Sequence, residues 1–214
     1  MSALFTQICY GEIMNKLALY VLLVLMWCNV GFAADISDFE IDGISIGDSA
    51  LKYLDKEKIK EEIKENAYMY DYLKEPDKFG HIVIRNGLKK YSFIVLIVST
   101  NDKYTIEQIS GAVNSTITSD KELGTCLKQM QEIEKEFSQI FNKYEKFEDM
   151  FDHPIDPTGR SKVHYIKYQF ENSDTAELQC ADFEEKLRIE NNWADGLSVI
   201  VRKNKVTKWL TDKK

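Results

Sequence analysis

Hydrophobic positions change their spacing several times along this chain. Residues 17–32 form one apolar run, flanked by Met14-Asn15-Lys16 and Ala33-Ala34-Asp35. Residues 38–46 then alternate loosely through Phe39, Ile41, Ile44 and Ile46, which predicts a short strand or an extended lead-in. Asp48 and Ser49 offer side-chain acceptors to a first helical turn carrying Ala50, Leu51 and Leu54. Asp55 repeats the device ahead of Ile59 and Ile63, and the interleaved Lys and Glu of 56–65 predict a solvated face. Tyr68, Tyr70 and Tyr72, spaced by two, predict a strand or irregular segment and form a candidate aromatic patch for a ligand.

Strand signals follow at 81–84, 91–98 and 104–113, the middle one apolar enough to be covered on both faces. Thr100 to Lys103 has turn chemistry. Ser119 and Glu122 form a capping box ahead of a long helix, whose stripe is Leu123, Cys126, Leu127, Met130, Ile133, Phe137, Ile140, Phe141 and Tyr144. Residues 149–161 read as a loop. Strands are expected at 163–170 and 176–180 around Asn172-Ser173-Asp174, and at 197–201 after Trp193. A last pair is expected across Lys203-Asn204-Lys205, with Trp209 near the tail. Helix then three strands, stated twice, predicts an α+β fold: an antiparallel sheet of about six strands with two main helices packed on one face.

The first apolar run has the pattern of a secretory signal peptide. Lys16 supplies the positive end, 17–28 the apolar segment, Asn29 and Gly31 break it, and Ala33-Ala34 supply small residues for cleavage. Cleavage after Ala33 or Ala34 would release a single α+β domain, 35–214, into the periplasm or beyond. Met14 sets the lysine beside an initiator, so 1–13 read as a misread start within the 1–34 leader. The alternative is an uncleaved helix that tethers the protein to the inner membrane, the one membrane contact this pattern allows.

The formal charge is −7, which disfavours nucleic acid as a partner. Cys9 and Cys28 precede the cleavage point, leaving Cys126 and Cys180. Both fall on apolar faces and would point inward. In an oxidising compartment they predict one disulfide, closing a loop of roughly 55 residues at about 4 kcal/mol of stabilisation; two buried thiols are the other reading.

The chemistry on offer is sparse. His153 has Asp149, Asp152 and Asp156 nearby, but no second histidine at ligand spacing and no calcium-loop spacing, so no metal is expected. Thr158-Gly159-Arg160-Ser161-Lys162 lacks the glycine pattern of a P-loop, though Arg160 with backbone amides could hold an anion. His153, Asp156 and Arg160 are thus a candidate ligand or partner loop. There is no Gly-x-Ser-x-Gly, His-Glu-x-x-His or Cys-x-x-Cys, and no cofactor is expected. These readings favour a non-catalytic exported module that binds an envelope protein or a small ligand. A tethered envelope accessory protein and an unfamiliar envelope hydrolase using 149–161 are the alternatives.

The stretch from Ile36 to Leu51, Ile-Ser-Asp-Phe-Glu-Ile-Asp-Gly-Ile-Ser-Ile-Gly-Asp-Ser-Ala-Leu, resembles the start of a family of small exported periplasmic proteins of marine alphaproteobacteria. Asp156-x-x-Gly159-x-Ser161, Asn192-Trp193-x-x-x-Leu197-Ser198-Val199, and a cysteine in the long helix and in the second hairpin are similar as well. The resemblance spans most of 35–214. It implies export and a globular domain, and it carries no site residue. Ile-Gly-Asp-Ser-Ala-Leu is also similar to the first-helix start of small outer-membrane lipoproteins that assist envelope assembly.

Overall fold

The computed structural model describes residues 36–114, 117, 120–191 and 193–214. The leader, its cleavage point and Ser119 of the capping box lie outside the described residues. Among the described residues no helix is long and apolar enough to cross a membrane.

The alternation at 38–46 folds back on itself. After a 3-10 turn at Ile36–Asp38, β1 (Glu40–Ile41) and β2 (Ile44–Ser45) pair antiparallel. Asp42 and Gly43 join them at φ 51° and 81°, the two left-handed residues that a tight primed turn requires. Ile36, Phe39, Ile41, Ile44 and Ile46 are all buried. Ser49 accepts from the Leu51 amide, but only one 3-10 turn forms, Ala50–Lys52; Ala50 is buried and Leu51 stays exposed. Asp55 accepts from the Lys58 amide at 2.8 Å and starts α1 (Lys56–Asn66), with Ile59 fully buried.

Among the described residues the main sheet holds seven antiparallel strands, where the sequence predicts about six. In chain order they are β3 (Phe79–Ile84), β4 (Phe93–Ser99), β5 (Ile106–Asn114), β6 (Tyr144–Asp152), β7 (Lys162–Phe170), β8 (Thr175–Asp182) and β9 (Gly196–Arg202). Their spatial order is β3-β4-β5-β9-β8-β7-β6. The last strand therefore sits between two meanders, and the second half contributes four strands rather than three.

Strand periodicity sorts the side chains into two faces. Ile82, Ile94, Leu96, Val98, Ile109, Leu178, Val199 and Val201 form a buried face under α1, α2 (Asp120–Ile140) and the β1–β2 hairpin. Phe39 meets Phe137 of α2 edge-on, centroids 4.7 Å apart. α1 lies close because β3 has Gly80 beneath it: a methyl there would stand 2.5 Å from Ile63. Cys126 of α2 and Cys180 of β8 are buried and joined in a disulfide, with Cα atoms 6.1 Å apart. The bridge suits an oxidising compartment.

Three expectations are corrected here. The long helix stops at Ile140 rather than at Tyr144, because Lys143 takes a left-handed φ of 54° and redirects the chain into β6. The first four residues of the expected 149–161 loop are therefore strand, and the loop runs from His153 to Ser161. The strand pair expected across Lys203 is a helix, α4 (Asn204–Thr211). The Asn204 amide donates to Asp174 at its start, and Val206 and Trp209, three apart, bury one face. α4 packs on the opposite side of the sheet from α1 and α2, in a second small core with Leu73, Phe79 and Ile97.

Candidate functional site

The sheet face opposite α1 and α2 is only partly covered. α4 closes one end, at β3 and β4. At the other end the β8–β9 connection, which contains α3 (Glu185–Glu190), folds over the strands. Between these lies a cleft of about 900 Å³. Its floor comes from Val83, Val95, Ala112 and Ser198 of four neighbouring strands, and this lining is small and uncharged.

One wall is aromatic. His153, from the β6–β7 loop, sits 4.9 Å from Trp193 and 5.5 Å from Phe183, and these two rings are themselves 4.9 Å apart. His153 Nδ1 is buried without a hydrogen-bond partner. That is an unmet polar group on a cleft wall, and a ligand could satisfy it. Asp195 holds the wall together: it accepts from the Phe183 amide at 2.9 Å and pairs with Arg188 at 3.5 Å. Burial first, and then the Asp195 charge, raise the carboxyl of nearby Asp182.

The other wall carries Asn66, Tyr68 and Met69, with His81 behind. His81 is 7% exposed and its Nδ1 lies 2.7 Å from the Tyr70 hydroxyl. Burial lowers the imidazole from 6.5 to about 4, against the pull of the Glu62 carboxylate, so it is neutral near pH 7. Burial likewise raises the Tyr70 phenol well above its usual range. At the mouth, Arg85 is exposed and lies over the Phe93 ring, 5.6 Å from its centroid. Among the described residues no carboxylate pairs with Arg85. The cleft thus joins an uncharged floor, a wall of edge-on and tilted rings, and one guanidinium without a carboxylate partner among the described residues.

The residues singled out from sequence scatter. His153 faces the cleft. Asp156 does not: it is buried and holds its own loop, one oxygen accepting from the Thr158 amide and hydroxyl at 2.8 and 2.6 Å and the other from the Ser161 amide at 2.6 Å. Those bonds, led by the Thr158 hydroxyl, keep its carboxyl far below the carboxylate range. Arg160 is exposed, donates to Thr158 and pairs with Glu184 at 3.3 Å, tying the loop to the start of α3. The three tyrosines do not share a face, because 3-10 helix at Ala67–Tyr70 replaces the expected spacing-of-two segment. Tyr68, 72% exposed, stands at the cleft rim; Tyr70 packs at a tilt against Trp209, centroids 4.6 Å apart; Tyr72 lies beneath Lys213.

Arg85, Phe93, Phe183, Arg188 and Trp193 join the site without having stood out as site residues in the sequence. Period-two reading of β3 does place Arg85 in phase with Val83 and His81, so that signal is present. Phe183 and Trp193 come from an irregular connection and have no periodicity to reveal them. Among the described residues no three His, Cys, Asp or Glu side chains gather as a metal site would need. No protein-family model, curated protein or solved structure matches the chain.

Proposed function

We propose that this chain is an exported, non-catalytic binding module whose open-face cleft takes a small planar, apolar anion. The observation that carries the reading is Arg85: an exposed guanidinium without a carboxylate partner among the described residues, at the mouth of an aromatic-walled cleft, in a chain of net charge −7. An anionic head would meet Arg85, and a flat apolar body would lie between Phe93, Phe183 and Trp193 over the uncharged floor. His153 Nδ1 offers a further hydrogen bond. Export is supported by the leader pattern at 1–34 and by the disulfide.

The test uses naphthalene-2-sulfonate, an anion with a planar aromatic body, titrated into the native protein. Saturable one-to-one binding with quenching of Trp193 emission is expected. Arg85→Ala should weaken it by about tenfold or more, the loss of one charge-assisted contact. Binding that Arg85→Ala leaves unchanged, or no binding, overturns the reading. Export is tested by the intact mass of protein isolated from its own cell envelope: a start at Ala34 or Asp35 is expected, and a mass that retains 14–34 would make it a tethered protein.

A further inference from the structure

The two edges of the sheet are treated differently. At the β3 edge, the Val83 amide donates to Glu62 Oε2 at 3.1 Å, so α1 covers the exposed backbone. β6, at the other edge, pairs with β7 alone, and among the described residues no backbone group of another element reaches its outer side. Every residue of β6 but Tyr144 is exposed, with Phe147 at 49% and Met150 at 60%. A long, exposed, partly apolar edge is a template for one more strand.

Its charges say what kind of strand. On the side toward α2, Lys146 is engaged by Glu134 and Glu148, and Asp152 by Lys162. On the other side Glu145, Phe147, Asp149 and Phe151 alternate acid and ring, and neither acid has a cation partner among the described residues. A second copy pairing antiparallel through β6 would set these acids against acids or against rings, whichever register it took. A basic strand neutralises them.

We propose that β6 accepts an extended basic and apolar segment of a partner protein, added to the sheet beyond β6. Lys or Arg would stand opposite Glu145 and Asp149, and apolar side chains opposite Phe147 and Phe151. The partner motif is therefore basic-x-apolar-x-basic-x-apolar. This surface is separate from the cleft, and neither reading depends on the other.

The test titrates the full chain against a labelled peptide of sequence Lys-Thr-Val-Thr-Lys-Thr-Val, a shuffled peptide of the same composition, and the version with Glu in place of Lys. Fluorescence anisotropy gives affinity, and amide hydrogen exchange gives location. The alternating basic peptide should bind, slow exchange within 144–152, and lose affinity as salt rises from about 0.05 M to about 0.5 M. The exposed double variant Glu145→Lys/Asp149→Lys, its fold checked by circular dichroism, should bind about tenfold or more weakly. Equal binding of the shuffled or acidic peptide, protection outside β6, or unchanged affinity of the double variant would overturn the proposal. So would a dimer whose β6 amides are protected without peptide, since the occupant would then be a second copy.

Discussion

Trp209 donates its indole N–H to the carbonyl of Glu75 at 2.7 Å, across a sequence separation of 134 residues. The ring also packs on Phe79 and Tyr70. The C-terminal tail follows: the Lys74 amide donates to the Asp212 carbonyl and the Lys214 amide to the Tyr72 carbonyl, each at 3.1 Å. One side chain thus secures α4 and the 72–75 segment together. Trp209→Phe keeps most of the packing and leaves the Glu75 carbonyl its second bond, from the Lys78 amide at 3.2 Å, so only one hydrogen bond is lost and about 0.5–1.5 kcal/mol is expected. Trp209→Ala should cost about 3–5 kcal/mol. Urea unfolding of both variants checks this: an unchanged stability of Trp209→Phe would mean the hydrogen bond contributes nothing, and equal losses would mean the ring packing does not.

Reduction of the Cys126–Cys180 bridge frees a long loop in the unfolded chain. The expected cost is about 4 kcal/mol, or roughly 10 °C in melting temperature for a domain of this size. The double variant Cys126→Ala/Cys180→Ala should melt near the reduced wild type and should not respond to dithiothreitol. A wild type that melts identically with and without reductant would show that the bridge does not constrain the unfolded state.

His81 gives the fold a pH dependence of known sign. Burial lowers its folded pKa from 6.5 to about 4, so the unfolded chain binds the proton more readily. Stability is full above pH 6.5 and is lost as pH falls from 6.5 toward 4. The part due to His81 is about 3 kcal/mol at pH 4. His81→Gln can still meet the Tyr70 hydroxyl and does not titrate. Its stability should fall less steeply between pH 6.5 and 4 than that of the wild type, and parallel curves would refute the assignment.

Gly80 and Ile63 make a test of how closely α1 sits on the sheet. Gly80→Ala puts a methyl 2.5 Å from Ile63, at an expected cost of about 1–3 kcal/mol. Ile63→Ala opens that space at its own cost. The double variant should lose less than the two single losses combined, because the collision is gone. Strict additivity in chemical denaturation would show that α1 moves aside instead.

The legible parts of this chain are those where burial writes a period. The stripe from Leu123 to Phe141, the strands around Leu96 and Leu178, and the inward cysteines all follow from residue spacing alone, as does the α+β class. β6 is not legible. Every residue after Tyr144 faces solvent, so Glu145 to Asp152 have no buried partner to impose alternation and read as a helix tail running into a loop. α4 is hidden because Lys203-Asn204-Lys205 has the composition of a turn, while its cap acceptor, Asp174, lies thirty residues earlier. Of the residues lining the cleft, the sequence marks His153, by its scarcity and the carboxylates around it, and Tyr68, by its aromatic neighbours. Arg85 and Trp193 come to one cleft through the pairing of β3 with β4, of β4 with β5 and of β5 with β9, and the last of these no local pattern encodes.

The place of β9 has a consequence for the order in which the molecule can be made. Residues 79–114 and 144–182 can each form a meander as they emerge, but β5 and β8 then face one another with their backbone edges unpaired. Gly196 to Arg202 closes both edges in one step, and it follows the other six strands of the sheet in the chain. The sheet is therefore completed only once residues 196–202 have left the ribosome. A chain stopped short of residue 196 carries two complementary sticky edges. Such fragments should associate with one another through them and be held by chaperones, whereas the finished chain sheds them on completion.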